Sequence, residues 1–190
     1  LEGKALEPRQ VTDGMVIQLA EHLGHCHQQT RTTWGAFHQP IFVAEQWPMR
    51  LYNTIKTLAD NHPTPIPDSI LNKALQQAQA IKVDSFVPIM LDLRWDQFLQ
   101  RDAQLSALVD LDAFVYGPQA IELVLLEYLL NEHQIEIFKE KYQKLQALPN
   151  LTDIRLAYRL LLFLMNVLGE KQLAVWMAQS HRLDSLTARE

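Results

Sequence analysis

A chain of 190 residues, 48% apolar and 21% charged, has the size and balance of one globular domain with a single core. A formal net charge of −5 lacks the clustered cations of a nucleic-acid binder, and the lone Cys26 excludes an internal disulfide and points to a reducing, cytoplasmic compartment. No stretch reaches the ~18 apolar residues of a membrane span; the richest, 156–168, is interrupted by Tyr158, Arg159 and Asn166.

The helical period organises most of the chain. From Val11 to Gln28, Met15, Leu19, Leu23 and Cys26 fall on one stripe at three- and four-residue spacing, with Thr12 or Asp13 as the cap. Trp47 to Asp60 repeats the pattern through Leu51, Ile55 and Leu58, and Pro63-Thr-Pro-Ile-Pro67 breaks it, because each residue before a proline is pushed out of the helical region. Asp68 or Ser69 can cap a further helix through Ile70, Ala74 and Ala78. Between Phe86 and Tyr116 short apolar runs alternate with polar turns, which predicts small strands. After Gly117-Pro118 the period returns in helices near 119–132, 134–147 and 151–167, with a shorter one around 170–180. The expected organisation is one unit over 1–190, its polar loops at about 86–118 and its closing helices at about 119–180.

The residues with chemistry in them lie in Met90-Leu-Asp-Leu-Arg-Trp-Asp-Gln-Phe-Leu99 and Leu108-Val-Asp-Leu-Asp112. Phosphoryl transfer asks for a carboxylate beside the attacking hydroxyl and oxygen ligands for the magnesium that bridges the phosphates. Asp92, the amide of Gln97 five residues on, and Asp110 one short hairpin further supply that set. Taken singly, Asp92 reads rather as a turn aspartate bonded to nearby backbone N–H groups, and only Gln97 and Asp110 at matching offsets favour catalysis. Asp112 is expected on the same strand face as Asp110, two carboxylates that repel unless a cation lies between them.

In order and spacing these segments resemble the aminoglycoside phosphotransferase and choline kinase-like superfamily, whose catalytic loop runs roughly His-Gly-Asp-Leu-x-x-x-Asn. Aligned on Asp92, this chain has Met90 for the His, Leu91 for the Gly and Gln97 for the Asn. Val109-Asp110-Leu111-Asp112 is similar to the family's Ile-Asp-Trp/Phe-acidic run, and Gly117 to Leu123 to its Gly-Asp-Pro-x-x-Asp-Leu element, with Glu122 for the last Asp. Leu23-Gly-His-Cys-His27 and the stretch from Trp34 to Trp47 resemble upstream parts of the same lobe, and Phe138–Tyr142 and the Tyr158–Leu162 helix downstream parts.

The resemblance implies a mainly α fold with a small β-hairpin region, a protein-kinase-like C-terminal lobe. It makes Asp92 the catalytic base and gives Asp110 and Gln97 the binding of Mg2+ and, through it, of ATP as co-substrate. Glu122 would anchor the catalytic loop from the following helix. The acceptor would be a small hydroxylated molecule; the acidic net charge is compatible with a cationic one. The sequence has no Gly-rich loop and no Val-Ala-Ile-Lys-like strand. Leu1-Glu-Gly-Lys-Ala-Leu6 is similar to the segment just after the hinge in such kinases, so the N-lobe is expected to be absent from this chain, with that lobe or a second copy as partner. The departures at Met90, Leu91 and Gln97 support an alternative, a degenerate kinase-like binding or regulatory module without turnover.

Three further features have competing readings. Arg94 can balance the carboxylates, touch phosphate or pair with Asp96 or Asp102, and Trp95 can stack on a substrate ring or pack as an anchor. In the His22, His25, Cys26 and His27 group, His25 and His27 are two apart and face different sides of a helix, a poor spacing for a zinc site. Membrane and nucleic-acid partners are not expected.

Overall fold

The computed structural model describes residues 3–183; the resemblance carried by Leu1 and Glu2 lies outside them. About half the chain is helical, with two small antiparallel sheets. β1 (Lys4–Ala5), β5 (Phe98–Arg101) and β6 (Gln104–Leu108) form a three-stranded sheet in the order β1-β5-β6. The second sheet has the order β3-β2-β7-β4, from β2 (Thr33–Ala36), β3 (Phe42–Val43), β4 (Val87–Met90) and β7 (Phe114–Gly117). The helices are α1 (Asp13–Cys26), α2 (Trp47–Asp60), α3 (Asp68–Ala80), α4 (Gln119–Leu129), α5 (Glu132–Tyr142), α6 (Arg155–Leu164) and α7 (Leu173–Met177).

Most helices stand where the apolar stripes put them. Met15, Leu19 and Leu23 of α1 are buried, and the Thr12 hydroxyl accepts from Met15 N at 3.3 Å as its cap. In α2, Leu51 and Ile55 are buried. The start of α3 differs from expectation. Neither Asp68 nor Ser69 caps it; Pro67 occupies that position at φ −55°, and its carbonyl accepts from Ile70 N and Leu71 N. The ring pre-sets φ, so the carbonyl is aimed into the first turn without a side-chain cap. None of the helices among the described residues is long and apolar enough to cross a membrane.

The single small hairpin expected from sequence is instead two sheets. β2 and β3 fall in 33–43, a stretch that shows no strand alternation in sequence, and they are held by pairing with each other and with β7. β4 is an edge strand, which suits Pro88, a residue with no N–H to donate to a second neighbour. The β5–β6 hairpin turns through Asp102 and Ala103 at φ 52° and 59°, the paired left-handed geometry of a two-residue loop.

α6 carries two cations into the core. Arg155 and Arg159 are almost fully buried against Glu127 of α4, with Arg159 Nη2 2.6 Å from Glu127 Oε2. Arg159 also donates to the carbonyls of Gln179 and Ser180, and Glu127 Oε1 accepts from the backbone N–H groups of Arg182 and Leu183. A buried charge survives only when paired and hydrogen-bonded. Here the pairing also clamps the segment after α7 onto the helical core.

Candidate active site

The register of β4 on β7 decides where the candidate residues go. Met90 pairs with Phe114, and Leu91 N donates to Ala113 O at 3.2 Å. The loop leaving β4 with Asp92 and the loop entering β7 from Asp110 therefore emerge at the same end of one strand pair. Val109 N donates to Gln97 O at 2.9 Å, which sets the Gln97 backbone against the residue before Asp110. Three residues spread over 19 positions of sequence are brought onto adjoining loops by two backbone contacts.

Asp92 is half-buried. Its Oδ2 accepts from Gln97 Nε2 at 3.1 Å, while its Oδ1 is buried without a hydrogen-bond partner. Gln97 is buried; its Oε1 accepts from Arg94 N at 3.0 Å and so closes the 3-10 turn Trp95–Gln97. Asp110 is exposed in the left-handed region at φ 60°, ψ 57°, leading the 3-10 turn Leu111–Ala113. A non-glycine residue there is uncommon and Asp is among those that tolerate it. Asp112 is not on the strand face expected for it. It lies inside the 3-10 turn and is exposed, because the chain turns at Asp110 rather than running on as strand.

The donor set suits a hard divalent cation. Carboxylate and amide oxygens are the ligands such ions take, and an amide oxygen keeps a second lone pair after accepting one backbone N–H. The unpartnered Asp92 Oδ1 leaves a buried acceptor facing no protein donor.

Behind the loop runs a buried polar relay. Glu122 of α4 is fully buried; its Oε1 accepts from Met90 N at 2.7 Å and its Oε2 lies 2.8 Å from His27 Nε2. His27 Nδ1 lies 2.6 Å from the Tyr142 hydroxyl, to which Gln119 Nε2 donates at 3.1 Å. With Nε2 donating to Glu122, Nδ1 accepts the Tyr142 proton, and every member is satisfied. Burial first, and then the neighbouring Glu122 charge, raise the Tyr142 hydroxyl far above its ordinary range, so it stays a proton donor. Glu122 thus holds the start of the Asp92 loop from α4. Gln119 carried no signal in sequence.

The competing readings now separate. Arg94 pairs with Asp96 at 3.3 Å, and Asp102 sits in the hairpin turn beside Arg101. Trp95 is a buried anchor whose Nε1 donates to Leu129 O at 3.1 Å, so it is not placed to stack on a ligand. His27 is committed to Glu122 and Tyr142, and Cys26 Sγ lies 3.7 Å from His22 Nε2. Burial, then Glu122, raise the Cys26 thiol, which keeps it protonated. Among the described residues no three His, Cys, Asp or Glu side chains converge as a metal site.

No family model matches the sequence, and no curated protein matches it. Ten chains of solved structure do match. A macrolide 2'-phosphotransferase type I superposes with a TM-score of 0.61 over 90% of this chain at 17% identity. The fold is that of small-molecule phosphotransferases. The macrolide 2'-phosphotransferase apoenzyme from Brachybacterium faecium gives a TM-score of 0.58 at 12% identity, over 96% of this chain and 67% of its own. The amicoumacin kinase hAmiN, in complex with AMP-PNP, Ca2+ and Ami, gives 0.56 at 14% identity over 94% of this chain. The likeness to these macrolide 2'-phosphotransferases and to the amicoumacin kinase is one of fold. This chain spans about 60% of the length of the first of these kinases and 59% of the amicoumacin kinase.

Proposed function

We propose that this chain is the catalytic, C-terminal part of a small-molecule kinase that transfers the γ-phosphoryl group of ATP to a substrate hydroxyl. The observation that carries the reading is the Asp92 carboxylate, held at one oxygen by Gln97 and left without a protein partner at the other. Such a group can orient a hydroxyl and accept its proton as the new O–P bond forms and the bond to the ADP oxygen breaks. Asp110 and Gln97 would hold Mg2+, which when bound spreads the charge of the phosphates. Glu122 keeps the loop in register by holding Met90 N, and half-burial of Asp92 limits competing water.

Asp110→Asn in the full-length protein is expected to weaken Mg–ATP binding at least about tenfold, the scale lost even when a group behind a metal ligand is removed. Titration calorimetry checks this, and unchanged affinity would remove Asp110 from the metal site.

Residues 1–190 alone are expected to show no detectable phosphoryl transfer. The sequence offers no Lys-bearing strand to pair with the phosphates and no Gly-rich loop to cover them, and both carry much of the transition-state stabilisation. The missing partner in this reading is the nucleotide-covering lobe of the same protein. A coupled ADP-release assay comparing the isolated chain with the full-length protein tests it; robust turnover by the isolated chain contradicts the reading.

A second reading is favoured by one contact. Gln97 Oε1 is engaged by Arg94 N, and both ends of the amide serve the loop itself. On that reading the chain is a kinase-like binding module that has lost turnover. Full-length protein that binds Mg–ATP and phosphorylates nothing in a broad panel of hydroxylated compounds would decide for it.

A further inference from the structure

Five of the large apolar side chains that remain exposed crowd into one short stretch: Phe37, Ile41, Phe42, Val43 and Met49. They belong to the β2–β3 hairpin and the start of α2, and beneath that hairpin lies a cavity of about 260 Å³. Trp34 and Phe42 come from the hairpin, Trp47 and Arg50 from α2, and Leu91 and Tyr116 from the β4–β7 side. Leu91 is the residue immediately before Asp92, so the cavity abuts the start of the catalytic loop.

Two of the lining residues are glycines that let neighbouring side chains approach closely. A Cβ at Gly117 would come within 2.6 Å of Ile89 Cδ1. Gly35 sits at φ +124°, a conformation side-chain-bearing residues rarely adopt, and a Cβ there would press on the Phe42 ring at 3.3 Å. The space is just under the ~300 Å³ at which drug-sized pockets begin, which suits a ligand about one ring in width.

The charge of the lining chooses the ligand. Arg50 is the one charged residue that lines the cavity, and no Asp or Glu does. Arg50 is exposed and makes no ion pair or hydrogen bond among the described residues. An aromatic lining can also cage a cation, but only with open ring faces. Here the faces serve one another: Trp34 stacks on Phe42 at 4.6 Å and meets Trp47 edge-on at 5.0 Å, and Trp34 and Trp47 are both buried.

We infer that this cavity is the acceptor site, and that it takes a flat, apolar, hydroxylated compound bearing an anionic group in preference to a cationic one. The inference rests on the kinase reading for the word acceptor, and on the cavity alone for the charge preference. That preference is the reverse of the one that the acidic net charge by itself suggests. Arg50 supplies the counter-charge at the rim, the rings supply the apolar walls, and Leu91, which lines the cavity, is the chain neighbour of Asp92.

The test uses two probes that share a ring and a hydroxyl and differ in charge, 4-hydroxyphenylacetate and tyramine. Each is titrated into the full-length protein and its binding is read by calorimetry, with Trp emission, excited beyond the absorbance of the phenol probes, as a second signal to which Trp34 and Trp47 contribute. The acid is expected to bind saturably and about fivefold more tightly than the amine, the scale of a solvent-screened ion pair. Arg50→Gln, a change at an exposed position, erases the difference, and Phe42→Ala weakens both probes. Equal or tighter binding of tyramine, or a preference untouched by Arg50→Gln, overturns the inference. Measuring transfer beside binding separates the two readings: Asp92→Asn loses transfer but retains the acid's binding and charge preference. If those hold while the unaltered protein transfers no phosphate to any acceptor, the kinase reading fails and the anion-selective cavity stands.

Discussion

Replacing Glu122 by Ala is expected to lower the unfolding free energy by about 3–5 kcal/mol, the largest stability loss of any single change at the site. The carboxylate is fully buried and receives Met90 N on one oxygen and His27 Nε2 on the other, at 2.7 and 2.8 Å. Truncation strands both partners inside the core, and each unsatisfied buried group costs roughly 1–3 kcal/mol. Glu122→Gln should cost less. Its amide oxygen can still accept Met90 N, and the His27 ring can shift its proton to Nδ1 to face the new amide. Denaturant unfolding reads the difference as a fall in midpoint at constant slope. A loss below about 1 kcal/mol for Glu122→Ala would mean that water replaces the carboxylate, and that the relay does not hold the catalytic loop.

Asp92→Asn in the full-length protein is expected to reduce phosphoryl transfer by roughly 10²–10⁴-fold, the range attributed to a positioned general base. The fold should be spared, since an Asn oxygen can still accept from Gln97 Nε2. Affinity for Mg–ATP should hardly move, because in the proposed arrangement Asp110 and Gln97 carry the metal. A steady-state rate measured beside calorimetric Mg–ATP binding separates the two effects. Full activity in the Asn variant would return Asp92 to the role of a turn aspartate.

How far each feature could be read from sequence follows from the range of the interactions that make it. The stripe of Met15, Leu19 and Leu23 lies within three turns of one helix, and so do Leu51 and Ile55; both helices stand where the stripes put them. The Thr12 cap is equally local. The start of α3 was misread because Pro67, not a polar side chain, organises that turn. β2 and β3, of four and two residues, are too short for alternation to register, and they exist because β7 lies beside β2. The strand expected through Asp112 is cut short because the chain turns at Asp110, which takes the left-handed backbone that Asp tolerates.

By itself the sequence determined the helical framework, the order of the polar loops, and the residue types that suit phosphoryl transfer. These depend on periodicity and on spacing along one chain. Only the tertiary structure decided which groups meet. His27 bonds to Glu122 across 95 positions and to Tyr142 across 115, and no local pattern encodes such pairs. The register that seats the Asp92 and Asp110 loops side by side and the cavity between Trp34 and Leu91 arise in the same way. Each is made by elements that touch only after the core has closed, so its geometry belongs to the packing and not to the string.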